Sequence, residues 1–279
     1  MNRGKAWVVA RVWLCPVLSL ALAAAIGAAF GLSWWTALLL AVLLACPVTA
    51  AWSLITSQRP LPVPVGPVPA TRGATLNAVA PYYDAICRAV GLGRGFRART
   101  LRVAELRRGE RVLDVGCGTG VLARGAAGIV GPTGLVWGID PAPDMIRIAR
   151  QNAATARSPA RFEPAAIEAL PFQDGSFDAA LMSLVLHHLP PDLKRTGLQE
   201  VRRVLRPGGR IVVVDFDRPR HRLLRALLSP FAAMPALRDH LQGRTPALLS
   251  EAGFEAAAAV GHWAGILTFW RAQKPVEAR

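Results

Sequence analysis

The stretch Val112-Leu113-Asp114-Val115-Gly116-Cys117-Gly118-Thr119-Gly120 decides the fold. An apolar strand runs straight into a loop with glycine at every second position. Such a strand delivers Asp114 at its carboxyl end, and Gly116, Gly118 and Gly120 let the backbone approach a ligand where a Cβ would intrude. The next acidic strand end is Asp140, which closes Leu135-Val136-Trp137-Gly138-Ile139 and stands where a ribose-binding carboxylate belongs. The dinucleotide fingerprint G-x-G-x-x-G requires glycine at position 121, and the residue there is Val121. A nicotinamide or flavin site is therefore disfavoured, and S-adenosylmethionine is the remaining candidate.

Further stretches extend the pattern: Asp140-Pro141-Ala142-Pro143-Asp144-Met145, Leu170-Pro171-Phe172-Gln173-Asp174-Gly175-Ser176-Phe177-Asp178, Leu186-His187-His188-Leu189, and the run from Glu200 to Pro207-Gly208-Gly209-Arg210. On these residues the chain resembles the class I S-adenosylmethionine-dependent methyltransferases over roughly residues 76–279. Within them it is most similar to the ubiquinone and menaquinone C-methyltransferases and the bacterial phospholipid N-methyltransferases, on Tyr82-Tyr83-Asp84, Asp215-Phe216-Asp217-Arg218-Pro219 and Gly265 to Trp270. The resemblance implies an α/β fold, a Rossmann-like doubly wound seven-stranded sheet with an antiparallel last strand. Strands are expected near 111–115, 135–139, 161–165, 178–183, 210–215, 254–260 and 265–271, with helices between them.

By the same resemblance the cofactor is S-adenosylmethionine. Its methionine end falls to Asp114, Gly116, Cys117, Gly118 and Gly120, its ribose to Asp140, and its adenine to Met145, Ala166 and Ile167, with Ser183 at the end of the fourth strand completing the set. Family members usually carry an aspartate that accepts from the adenine amino group; the aligned residue here is Ala166, which leaves Glu168 or the backbone at Ile167. Methyl transfer from a sulfonium depends mainly on alignment and water exclusion, so no strong acid is required. Tyr83 is a candidate for the lid and His187 a candidate base, each with an alternative as packing residues; the catalytic residue stays unassigned.

From Val12 to Gln58 run 47 residues without Asp, Glu, Lys, Arg or His. One helix of that length would be about 70 Å long, more than twice a ~30 Å hydrocarbon core. A two-helix transmembrane hairpin is therefore expected within residues 1–58, with spans of about 12–30 and 35–55 turning at Gly31-Leu32-Ser33. Five of the eight tryptophans fall at the implied interfaces, and Arg3, Lys5, Arg11, Arg59 and Arg72 flank an uncharged turn, which puts both ends in the cytoplasm. The run is far longer than the 7–15-residue core of a cleaved signal peptide. Gly27-x-x-x-Gly31 allows a homodimer through the hairpin. Residues 59–75 read as a Pro-rich linker, a polyproline strut on Pro60, Pro62, Pro64, Pro67 and Pro69, leaving residues 76–279 as the methyltransferase domain.

The formal charge of +15 is carried almost wholly by arginine. Arg218, Arg220, Arg222 and Arg225 flank Leu223, Leu224, Leu227 and Leu228 in the manner of an amphipathic interfacial helix. A lipid bilayer is thus the expected partner of the charge. A nucleic-acid partner is not expected, since the fourth strand ends in Ser183-Leu184-Val185-Leu186 rather than an Asn-Pro-Pro-Tyr type motif. The four cysteines form no C-x-x-C pattern and suggest neither a disulfide framework nor a metal site. The sequence reading is a methyltransferase integral to the cytoplasmic membrane, its catalytic domain on the cytoplasmic side, acting on a lipid-soluble acceptor such as a quinone precursor or phospholipid headgroup. Methylation of a soluble small molecule and a non-catalytic cofactor-binding scaffold are the alternatives.

Overall fold

The computed structural model describes residues 71–222, 225 and 235–276. Seven strands form one sheet: β1 Arg111–Val115, β2 Leu135–Asp140, β3 Arg161–Pro164, β4 Phe177–Ser183, β5 Leu205–Phe216, β6 Glu255–Trp263 and β7 Leu267–Gln273. Their order is β3-β2-β1-β4-β5-β7-β6, and β7 runs antiparallel to both of its neighbours. The expected seven-stranded sheet with an antiparallel last strand is present. Parallel strands covered on both faces read as continuous apolar runs, and β1 is buried at every residue after Arg111.

The order reverses between β1 and β4, since the chain winds from β1 to β2 on one side and returns to β4 on the other. The crevice beyond the carboxyl ends at such a switch point is where a doubly wound sheet holds its ligand. Around the sheet lie α1 Tyr83–Ala89, α2 Arg94–Ala104, α3 Val121–Val130, α4 Pro143–Thr155, α5 Pro191–Val204, α6 Pro235–Leu241 and α7 Thr245–Glu251. Both α4 and α5 open on proline, whose missing N–H costs nothing in the first turn, and carry Asp144 and Asp192 where the helix dipole favours a negative charge.

Two apolar clusters cover the two faces. Leu193, Leu198 and Val201 of α5 and Leu248 of α7 lie in one; Phe96 of α2, Leu122 of α3 and Ile146 of α4 lie in the other. Phe96 meets Trp263 edge-on at 5.7 Å and Phe269 at 5.8 Å, which locks α2 onto the β6–β7 end. The fifth strand begins at Leu205 rather than near 210. Leu205 pairs with Phe177, a register shift follows, and pairing resumes at Ala179 and Arg210. The Pro207-Gly208-Gly209 stretch is accommodated as an irregularity inside the strand, with Gly208 at φ 72°.

The membrane part of the sequence reading is corrected. Among the described residues no helix is long and apolar enough to cross a membrane. The longest of them, α5 with 14 residues, is about 21 Å long, short of the ~30 Å hydrocarbon core, and it carries charge along its outer face. The transmembrane hairpin and the integral placement in the cytoplasmic membrane are withdrawn with that finding. The spans at 12–30 and 35–55, the hairpin homodimer, the strut up to residue 70 and the leucines of the 218–228 segment fall outside the described residues.

Candidate cofactor and acceptor site

Gly116, Gly118 and Gly120 adopt φ of 66°, 52° and 74°, the left-handed region that favours glycine. A Cβ at Gly116 would stand 2.5 Å from Val185 Cγ2, and one at Gly120 2.6 Å from the Phe162 ring. The loop is tied to β2 by the carboxylate at that strand's end. Gly118 N–H donates to Asp140 Oδ2 at 3.0 Å and Ala142 N–H to Oδ1 at 2.9 Å. A carboxylate offers about four acceptor positions, so Asp140 keeps lone pairs for hydroxyl donors. Burial nonetheless pushes its pKa up to about 6. Asp114 is 1% exposed, its Oδ2 has no hydrogen-bond partner, and burial pushes its pKa up to about 7.

Above this loop opens a cleft of about 650 Å³ including its mouth. Of the candidate residues, Gly116, Gly118, Asp140, Met145 and Ile167 line it. Asp114, Cys117, Gly120, Ala166 and Ser183 do not: Asp114, Cys117 and Ala166 are buried, Gly120 packs on Phe162, and Ser183 ends β4 outside the lining. Burial raises the Cys117 thiol well above its ordinary value, which leaves it protonated and chemically quiet. On the far wall Leu184 holds φ 61°, a strained conformation for a bulky side chain, with its N–H on Val214 O at 2.7 Å.

The sequence reading placed the amino-terminal lid at Tyr83 and missed the stretch before it, of which Thr71, Gly73, Ala74, Thr75 and Leu76 line the cleft. Residues 71–82 are tied down at three places. Asn77 Nδ2 donates to Asp144 Oδ2 at 2.8 Å while Asp144 N–H donates back to Asn77 Oδ1 at 2.9 Å. Ala74 N–H donates to His188 O at 2.9 Å, and Arg72 pairs with Asp192. Tyr83 follows, its ring edge 3.4 Å from where a Gly118 Cβ would sit, and burial raises its phenol pKa so that it stays protonated. Thr119 Oγ1 donates to Asp84 Oδ1 at 2.8 Å, joining α1 to the glycine loop. An asparagine within an apolar context, two residues after a threonine, carries no local signal of a partner 67 residues away.

Beyond Leu184 and Val185 a 3-10 turn, Leu186–His188, carries two histidines, of which the sequence reading named His187 as the candidate base. His188 lines the cleft, and burial together with the neighbouring His187 lowers its pKa to about 4. His187 does not line the cleft. Its Nδ1 is 2.7 Å from Asp215 Oδ1, at the end of β5, and its ring packs edge-on against Phe216 at 4.9 Å. Asp215 is 1% exposed and accepts the Phe216 N–H at 2.7 Å; burial pushes its pKa up, but the adjacent His187 holds it well below the ordinary carboxylate value.

These features fit S-adenosylmethionine. A backbone cradle open only to glycine suits the amino-acid end, the orphaned Asp114 oxygen suits a cationic group, Asp140 retains acceptor capacity for a ribose, and Met145 with Ile167 supplies an apolar flank for a flat base. Residues 112–209 match the family described as a methyltransferase domain. The ubiquinone/menaquinone biosynthesis C-methyltransferase UbiE of Geobacter sp. (strain M21) is 37% identical over 150 residues, 52% of this chain and 63% of that relative. The protein of the same name from Geobacter sulfurreducens is 30% identical over 220 residues, covering 70% of this chain and 85% of that one. The crystal structure of a SAM-dependent methyltransferase from Methanosarcina mazei matches with a TM-score of 0.50 at 26% identity, over 63% of this chain and 97% of that one. The chain thus spans less than two thirds of the first relative and most of the second. It belongs to the class I S-adenosylmethionine-dependent methyltransferases, close to the ubiquinone/menaquinone C-methyltransferases.

Proposed function

We propose that this protein methylates a ring carbon of a quinone-type small molecule in its reduced, hydroquinone form. The observation that carries the reading is the likeness to a named quinone C-methyltransferase over 85% of that relative's length. When bound, S-adenosylmethionine supplies an electrophilic methyl group: a bond forms from the acceptor to the methyl carbon as the carbon–sulfur bond breaks and leaves its electron pair on sulfur. An electrophile of this kind needs an electron-rich ring, which favours the hydroquinone over the quinone.

In this reading the loop Gly116 to Gly120, with Asp114 and Cys117 beneath it, cradles the amino-acid end and Asp140 holds the ribose hydroxyls. Met145 and Ile167 flank the adenine, with Ala166 buried beside them and Ser183, at the end of β4, completing the cofactor set from outside the lining. The lid over residues 71–82 supports it by excluding water from the reacting atoms. The catalytic unit in this reading is residues 76–279, to which residues 71–75 add the start of the lid. The test is mass spectrometry of full-length protein incubated anaerobically with methyl-labelled S-adenosylmethionine and a reduced, prenylated naphthohydroquinone that lacks the ring methyl. A labelled product one methylene heavier, with the label on carbon, is expected. Cofactor binding with no label in the naphthohydroquinone would refute the reading.

A further inference from the structure

We propose that His187, held by Asp215, is the base that takes the hydroxyl proton from the acceptor through its Nε2. The inference rests on the hydroquinone reading above and adds the residue that activates the acceptor. Asp215 anchors one edge of the ring: its carboxylate accepts at His187 Nδ1 at 2.7 Å and more weakly from the His187 backbone N–H at 3.4 Å. A carboxylate only accepts, so the proton between them sits on Nδ1 and the lone pair of the neutral imidazole sits on Nε2. This division of labour makes an imidazole a directed base: the carboxylate sets the tautomer and stabilises the imidazolium that forms.

Among the described residues, the other histidines near the ring leave that role to His187. His188, on the same turn with its ring 4.0 Å away, is pushed down to about pKa 4 by burial and by His187, and a base that weak takes few protons near neutrality. His240 of α6, 6.5 Å away ring to ring, is fully buried and has Nδ1 3.2 Å from Phe216 O. A carbonyl only accepts, so His240 Nδ1 carries its proton; burial lowers its pKa, opposing the pull of Asp215. Lys194 of α5 is buried and bonded to Asp239 at 3.1 Å, and its charge disfavours a proton on His240 further. Among the described residues, Asp215 thus accepts a side-chain hydrogen bond from His187.

Position supports the same assignment. His187 stands at the carboxyl end of the sheet between β4 and β5, outside the lining of the cofactor cleft but next to His188, which lines it, and its side chain is 14% exposed. Asp140 and the glycine loop occupy the β1–β2 side of the switch point, which leaves the β4–β5 side for the acceptor. The proton balance closes. The hydroxyl proton moves to His187 Nε2 and leaves a phenolate, whose ring carbon takes the methyl group. The ring carbon then loses its own proton to water as His187 returns its proton to the oxygen, so the aromatic ring is restored and one proton is released overall.

The experiment uses full-length protein, the naphthohydroquinone probe, and the His187→Asn, His187→Ala and Asp215→Asn variants, each checked for folding by circular dichroism and for S-adenosylhomocysteine affinity. His187→Asn should lower kcat by about 100-fold or more, the range of general base catalysis, with KM for S-adenosylmethionine within about twofold. Added imidazole should restore part of the His187→Ala rate, and Asp215→Asn should slow turnover. Nitrogen-15 NMR of the S-adenosylhomocysteine complex should find the neutral His187 proton on Nδ1. A kcat for His187→Asn within about threefold of the parent, or a neutral tautomer with the proton on Nε2, would overturn the assignment. If the parent leaves the probe unmethylated, the hydroquinone reading fails and takes the His187 assignment with it, whereas a methylated probe with an unaffected His187→Asn rate overturns the assignment alone.

Discussion

Asp140→Ala separates what this residue does for the ligand from what it does for the fold. On the ligand side the variant removes a charged acceptor facing the cleft, worth roughly 1.5–3 kcal/mol, so S-adenosylmethionine affinity should fall roughly 10- to 150-fold. On the fold side two terms oppose each other. The N–H groups of Gly118 and Ala142 lose their acceptor, at about 1 kcal/mol each where water can reach them. Against this, a carboxyl whose pKa rises from 3.8 to about 6 on folding destabilises the apoprotein by about 2–3 kcal/mol near pH 7.5, and alanine removes that term. The sign follows from proton uptake: with the folded pKa raised, the stabilising contribution is complete below pH 3.8 and is lost as pH rises through about 6. Apoprotein stability at pH 7.5 should therefore stay within about 1 kcal/mol of the parent while affinity collapses. Asp140→Asn should recover little, because one oxygen becomes an NH₂ aimed at a backbone N–H that also donates. Calorimetric titration with S-adenosylmethionine, paired with urea denaturation, reads both quantities. A folded Asp140→Ala protein that binds the cofactor within twofold of the parent would refute the reasoning.

Gly120→Ala should lower the melting temperature and cofactor affinity together, since φ of 74° strains any Cβ and the added methyl meets the Phe162 ring at 2.6 Å; a variant that melts with the parent would contradict the loop geometry. Asn77→Ala, Asp144→Ala and the double variant should form a cycle with a coupling of about 0.5–3 kcal/mol, and each single change should speed cofactor release in stopped-flow as the lid loosens. Strictly additive effects would remove the lid contact from the account. For His188 the folded pKa of about 4 lies below the unfolded 6.5, so the unfolded chain takes up the proton first and stability falls as pH drops from 6.5 towards 4. His188→Gln should spare about 2.5 kcal/mol of the loss between pH 7 and pH 4.5 in urea denaturation; identical acid sensitivity in the two proteins would count against it.

The sheet and its glycine loop were legible in the sequence because the signals are local. Continuous apolar runs mark strands buried on both faces, and Gly116, Gly118 and Gly120 announce backbone conformations that their own lack of a Cβ makes accessible. Asp140 was legible for the same reason, as the acid that ends such a run. The membrane reading shows the limit of a local signal: it rested on one uncharged run, and among the described residues no helix reaches membrane length. Which histidine meets the cleft and which meets a carboxylate was not legible, because His187 and His188 are neighbours in sequence and differ only in what faces them. Asp215 lies 28 residues from His187, and Asn77 lies 67 residues from Asp144. Those partnerships exist only once β4 and β5 lie side by side and the lid segment crosses α4. Hydropathy and spacing report which residues leave water; the order of strands in the sheet sets which polar groups are brought within 3 Å of one another, and that order is fixed by long-range packing.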